Sequence, residues 1–168
     1  MPGGRWGAYL QDADVVRLLT RLEVTLGPVG LTAFAKTVMT PYMRERARAR
    51  FANEGDDAVG QWMPLQEATW NFREEQGFPP DHPINKRTGR LEAYITGGGV
   101  GVTPTPDGAL LTFPDQPPTG ETARKLETAQ YGKNDPYTPS RPVLGISEVD
   151  VAFAVTALAD FIERGGAS

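Results

Sequence analysis

Glycine and proline cut this chain into short pieces. Gly27-Pro28, Thr40-Pro41, Gly55, Pro64, Gly77 with Pro79-Pro80, Gly97-Gly98-Gly99, Pro106-Asp107-Gly108 and Pro117-Pro118 each interrupt a regular stretch. Proline lacks a backbone donor, and glycine takes turn conformations that other residues resist. Nineteen glycines and fifteen prolines make up a fifth of the 168 residues, so long loops around a modest core are expected. A chain of this length suits one domain. It contains no cysteine, which excludes disulfides, thiolate metal sites and cysteine nucleophiles and leaves oligomerisation as one substitute staple.

Between the stops, apolar spacing predicts the elements. Asp12 or Asp14 caps a helix carrying Val15, Leu18, Leu19, Leu22 and Leu26 on one face. A second stretch aligns Leu31, Phe34, Ala35 and Val38. Thr40-Pro41 then reads as a new N-cap with proline at the first helical position, or as a kink. The helix beyond it places Met43, Ala47 and Phe51 in line, and Gly55 is expected to end it in a left-handed turn. A short helix with Leu65, Ala68 and Phe72 inward follows, then a turn or two capped by Thr88 with Leu91, Tyr94 and Ile95 buried.

The pattern changes at GGGVGVTP. With the turn signal at Pro106-Asp107-Gly108 and the run ALLTF, it predicts a hairpin with Leu111 and Phe113 on one face. A helical stretch from Thr122 to about Gln130 comes next, and Val143 to Ile146 reads as a short strand or an extended lead-in. Ser147 and Asp150 form a capping box, flanked by Ile146 and Val151 as a hydrophobic staple. Phe153, Ala154, Ala157, Leu158 and Phe161 continue the last helix to Arg164-Gly165. The class is therefore α+β: N-terminal helices through residue 55, a motif region with a central antiparallel hairpin over 56–146, and a C-terminal helix over 147–165. Two strands alone are marginal, so the sheet is expected to gain strands from residues 130–146 or from a neighbouring subunit.

Catalytic equipment is sparse. His82 is the single histidine and lies between prolines, so it cannot build a two-histidine metal site or a triad and reads as a loop residue. Glu54, Asp56 and Asp57 lack the alternating spacing of a calcium loop and read as helix-end acids. The GGGVG run is not followed by Lys-Ser/Thr or a helix, as a phosphate loop requires, and Glu74-Glu75 is not placed across any cleft. No enzyme, cofactor or metal is expected. Arg44, Arg46, Arg48 and Arg50 flank the apolar stripe on two sides, which suits stem packing and pairing with acids. A nucleic-acid-binding or regulatory module using this helix is the alternative.

Charge is uneven. Residues 1–51 hold eight basic and four acidic side chains, and the remainder carries a net charge of −8. Such asymmetry suits head-to-tail packing of identical subunits. No apolar run approaches membrane-spanning length, so the chain is expected to be soluble and made in the cytoplasm.

One series of short motifs is collinear with a known family. Arg50-Phe51 ends a helix, a glycine-containing link leads to Trp62-Met63-Pro64-Leu65, Thr69 and Arg73 follow on a helix, and Thr88-Gly89-Arg90-Leu91 makes a turn. Tyr131-Gly132 and Pro139-Ser140-Arg141-Pro142 then lead towards the last helix. In this order the motifs resemble the phage virion-morphogenesis family, typified by the tail-completion proteins of Mu-like and related tailed phages. Where that family often carries a histidine before the aromatic-glycine pair, this chain has Ala129-Gln130.

The resemblance implies a ring-forming subunit, sixfold, at the neck of the virion. It would be assembled in the host cytoplasm, cap the tail tube as a terminator or connector, and contact the tube protein and the head-tail connector. DNA would pass through the lumen without specific binding, helped by the excess of acids. The implied motif and assembly residues are Arg50, Phe51, Trp62, Pro64, Leu65, Thr88, Gly89, Leu91, Tyr131, Gly132, Arg141 and Pro142. Arg141, held between prolines, is expected to offer its five donors to a carboxylate of its own or the next subunit.

Overall fold

A computed structural model of the chain describes residues 26–79, 83–86, 88–105, 108–133 and 138–165. The helix read over residues 12–26, apart from Leu26, lies outside them, as do His82 and the Pro106-Asp107 turn.

Helix α1 (Pro28–Phe34) runs through a π-helical segment (Ala35–Met39) into α2 (Thr40–Ala52). Thr40 is not an N-cap: its backbone is helical, and its hydroxyl donates to the Ala35 carbonyl five residues back at 2.9 Å. Pro41 removes one N–H and brings its ring against the preceding turn, and the wider π turn accommodates both without breaking the rod. The helix ends one residue earlier than the glycine signal predicts. Glu54 takes the left-handed conformation at φ 54°, and Gly55, at φ 135°, enters a minimal hairpin, β1 (Gly55–Asp56) with β2 (Gly60–Gln61).

Helix α3 (Glu67–Glu75) turns a different face inward from the one expected. Phe72 is 50% exposed and Ala68 is exposed, whereas Arg73 is buried and donates to the Pro83 carbonyl. Helix α4 (Arg90–Gly97) starts from Gly89 at φ 68°, with no side-chain cap from Thr88. It buries Leu91 and Ile95.

The predicted hairpin forms as β3 (Gly101–Thr105) and β4 (Gly108–Thr112), antiparallel, with Val102 opposite Leu111 and Thr103 opposite Leu110. No third strand joins it among the described residues. Residues 138–147 form neither helix nor ladder, and both Leu110 and Leu111 are exposed.

Helix α5 (Gly120–Tyr131) and helix α6 (Glu148–Glu163) complete the α+β fold. The capping box of α6 is present: the Asp150 backbone N–H donates to the Ser147 hydroxyl oxygen, and the Ser147 N–H donates to the Asp150 carboxylate. The flanking Ile146 and Val151 are exposed.

Two apolar clusters hold these elements. The first collects Ala47, Phe51, Trp62, Ile84, Leu91, Ile95, Ala129 and Val143. The second joins Phe34, Ala35, Met39 and Val100 to the inner face of α6, including Phe153 stacked on Tyr42 and Phe161 edge-on to Phe34. Phe113 packs against both. No helix among the described residues is long and apolar enough to cross a membrane.

Candidate assembly site

Several motif residues meet around the segment Arg141 to Gly145, which forms neither helix nor strand. A segment with no strand partner must satisfy its carbonyls by other means. Here side chains supply every donor. The Arg141 carbonyl accepts from Asn85 Nδ2 at 3.2 Å and the Pro142 carbonyl from Trp62 Nε1 at 2.8 Å. Val143 and Gly145 accept from the two Nη atoms of Arg50 at 2.8 and 3.2 Å. Leu144 is held on both sides by the Gln130 amide: its carbonyl accepts from Nε2 at 2.9 Å and its N–H donates to Oε1 at 3.2 Å. The Arg141 N–H donates to the carbonyl of Ala129 at the end of α5.

Arg50 reaches this position from the last turn of α2, where it is 3% exposed. Its Nε and Nη2 also donate to Asp56 Oδ2 at 2.9 and 2.8 Å, so one guanidinium links α2, the β1–β2 turn and the 143–145 segment. Phe51 meets the Trp62 ring edge-on with centroids 5.5 Å apart. Arg141 grips in the opposite direction. Its Nε and Nη2 donate to the carbonyls of Met63 and Pro64 at 2.7 and 2.9 Å. Within its own chain, Arg141 thus bonds two neutral carbonyls among the described residues and no carboxylate. The side chain is 8% exposed, and burial, reinforced by the adjacent Arg73 charge and opposed by Glu54, pulls its pKa below the ordinary arginine value.

Of the acidic residues after α2, Asp56 and Asp57 pair with arginines and Glu54 accepts a backbone N–H, in place of the helix-end solvation expected from the sequence. Arg46 pairs with Asp57, with Asp56 at 3.5 Å and with Asp150 at 2.8 Å, while Glu54 Oε1 accepts the Ile84 N–H at 2.8 Å. The hydrogen bond with Asp57 is the largest influence raising the Arg46 pKa and lowering that of Asp57. Burial pushes the Asp150 carboxyl up, but bonds from the Ser147 N–H, the Tyr42 hydroxyl and Arg46 outweigh it and hold the carboxyl below its usual range. Burial and the same carboxylate push the Tyr42 hydroxyl up to about 12. Arg44 donates to the carbonyls of Gly97 and Gly98, and Arg48 pairs with Glu45. All four arginines of α2 are engaged within the chain, as pairing with acidic neighbours predicts for Arg46, Arg48 and Arg50.

The remaining motif residues border this clamp. Leu91 is in the first cluster and Leu65 packs against it. Pro64 is exposed apart from its bonded carbonyl. Gly132 ends α5 at φ 71°, where a side chain would press on the Thr138 carbonyl and the Ser140 N–H. Tyr131 beside it is 80% exposed. Thr88 is exposed and accepts from Lys125 Nζ at 3.2 Å. Beside Arg141 a groove of about 490 Å³ opens between α3, α4 and α5, with Leu65, Ile84 and Leu91 among its apolar walls. No family model, curated protein or solved structure matches the chain.

Asn85 and Gln130 are the clamp residues that the motif series does not include. Gln130 lies where the resembled family often carries a histidine, so the departure itself marked the position. Asn85, in a loop between two helices, carried no local signal. Among the described residues, no group of three or more His, Cys, Asp or Glu side chains could hold a metal ion.

Proposed function

We propose that this chain is a structural subunit of a tailed bacteriophage virion, a neck or tail-completion protein that caps the tail tube and joins tail to head as a ring, sixfold in the simplest case. The observation that carries this reading is the clamp. Arg50-Phe51, Trp62-Met63-Pro64-Leu65 and Arg141-Pro142 resemble the family's motifs in sequence; the second and third bond each other across up to 80 residues of chain, Phe51 meets Trp62, and Arg50 holds the Val143 and Gly145 carbonyls just beyond Pro142. A shared set of motifs is expected to conserve such a scaffold, whereas a chance series of short matches has no reason to converge.

The surface is also suited to assembly. Val149, Val151 and Val155 stand exposed on α6, and the β3–β4 hairpin has two exposed leucines and no third strand among the described residues. In a closed ring each subunit presents one such surface to a different surface of its neighbour. The rival use of the α2 arginines for nucleic acid has less to work with, because their guanidiniums already serve Asp56, Asp57, Asp150, Glu45 and four backbone carbonyls.

Class-averaged negative-stain images of the purified protein, alone and with tail tubes, test the proposal. Rings seated at one tube end are expected. Monomers that ignore tubes and shift DNA in a salt-dependent way would transfer the function to the nucleic-acid reading.

A further inference from the structure

The groove beside the clamp holds, among the described residues, more basic than acidic side chains. Among the described residues, Arg124 and Lys133 in its wall make no ion pair, and Arg141 donates only to the neutral Met63 and Pro64 carbonyls. Among the described residues Glu121 is the single acidic member of the lining, and it is already shared by Arg90 and Lys125, each at 2.8 Å. A guanidinium as buried as Arg141, at 8% exposure, costs free energy unless an anion offsets it, and a charge-assisted bond formed out of water is stronger than one at the surface.

The rest of the lining selects among anions. Leu65, Ile84 and Leu91 form an apolar floor, and Thr69, Asn85 and Thr128 add polar contacts. The volume, about 490 Å³, falls within the range of sites that enclose a ligand. Inorganic phosphate has no use for the apolar floor. The backbone of a duplex is too broad to approach a side chain as recessed as Arg141. A peptide segment that alternates carboxylates with apolar side chains meets both halves of the lining.

We propose that this groove is a docking site for an acidic, partly apolar peptide segment of another protein, with its carboxylates towards Arg141, Arg124 and Lys133 and its apolar side chains on the Leu65–Ile84–Leu91 floor. The site is independent of the tail-completion reading, because it needs neither a ring nor a phage.

Fluorescence anisotropy with a labelled peptide of alternating leucine and glutamate provides the test, on the full chain at low salt. The glutamate peptide is expected to bind. The double variant Arg124→Glu/Lys133→Glu, both positions being exposed and outside the clamp, is expected to weaken it by about tenfold or more while circular dichroism stays unchanged. Replacing the peptide's glutamates with glutamine is expected to weaken it similarly. No binding, equal binding of the glutamine peptide, or undiminished binding by the double variant overturns the proposal. So does displacement of the peptide by inorganic phosphate or a short DNA duplex at equal concentration. Salt-sensitive self-association that the same reversals abolish, without peptide binding, would assign the groove to a second copy of the chain and overturn it too.

Discussion

Arg50 illustrates how much one buried side chain can control at the residue scale. Arg50→Ala would strand Asp56 and two carbonyls at once, although Arg46 remains 3.5 Å from Asp56. Removing one partner of a buried pair costs about 3–5 kcal/mol, and a loss in that range is expected in urea unfolding followed by tryptophan fluorescence. Arg50→Lys should recover little, since an ammonium cannot present the planar fork that reaches three acceptors. A loss below about 1 kcal/mol, the ordinary effect of a surface change, would show that the clamp contributes little. Trp62→Phe keeps most of the ring in the core but leaves the Pro142 carbonyl without its donor, for an expected cost of about 1–3 kcal/mol. Asp150 supplies a pH signature. Its folded pKa lies below the ordinary carboxyl value, so its contribution is present above the unfolded pKa near 3.8 and disappears as pH falls through the folded value. Asp150→Asn should flatten this acid limb. Tyr42 has the opposite sign: its pKa is raised from 10.0 to about 12, so its contribution is complete below 10 and is lost as pH rises towards 12. Unfolding midpoints of Tyr42→Phe should lack that alkaline decline.

Elements succeed or fail on a few positions each. The β1–β2 hairpin requires glycine at 55, because its φ of 135° is unfavourable for a side chain and a Cβ there would strike the Gly60 carbonyl oxygen. Gly55→Ala should therefore cost more than about 1 kcal/mol and lower the melting temperature. Helix α6 makes the contrary point. Val151 to Ala159 contains no charged residue, and its outer positions Val151 and Val155 are more than half exposed. A helix apolar on every side is normally covered. Val155→Glu should leave monomer stability within about 0.5 kcal/mol, as a surface change does, while abolishing self-association in sedimentation velocity. Retained rings in that variant would remove α6 from the interface. Local signals located α6 well, since Ser147 and Asp150 act within one turn. They misassigned the inner face of α3, where periodicity favoured Ala68 and Phe72 but the Pro83 carbonyl drew Arg73 inward.

At the scale of the whole molecule, two clusters bridged by Phe113 support a small fold with exposed apolar positions on α6 and the hairpin. In the proposed ring those positions would be the contacts between subunits, and ring images with and without tail tubes remain the decisive measurement for the proposed role. Periodicity, caps and glycine-proline stops determined most of the elements and the α+β class, because those effects operate between residues a few positions apart. The series containing Arg50, Trp62 and Arg141 came from the family resemblance alone, without showing what they hold. Only the tertiary structure decided that the 141–145 segment would remain outside any sheet and that its five carbonyls would be met by Asn85, Trp62, Arg50 and Gln130. It also decided that Asp56, Asp57 and Asp150 would become arginine partners. Those outcomes depend on donors and acceptors brought together from distant parts of the chain. Buried carbonyls and charges accept whichever partner packing delivers, and no spacing within a helix or strand records that choice.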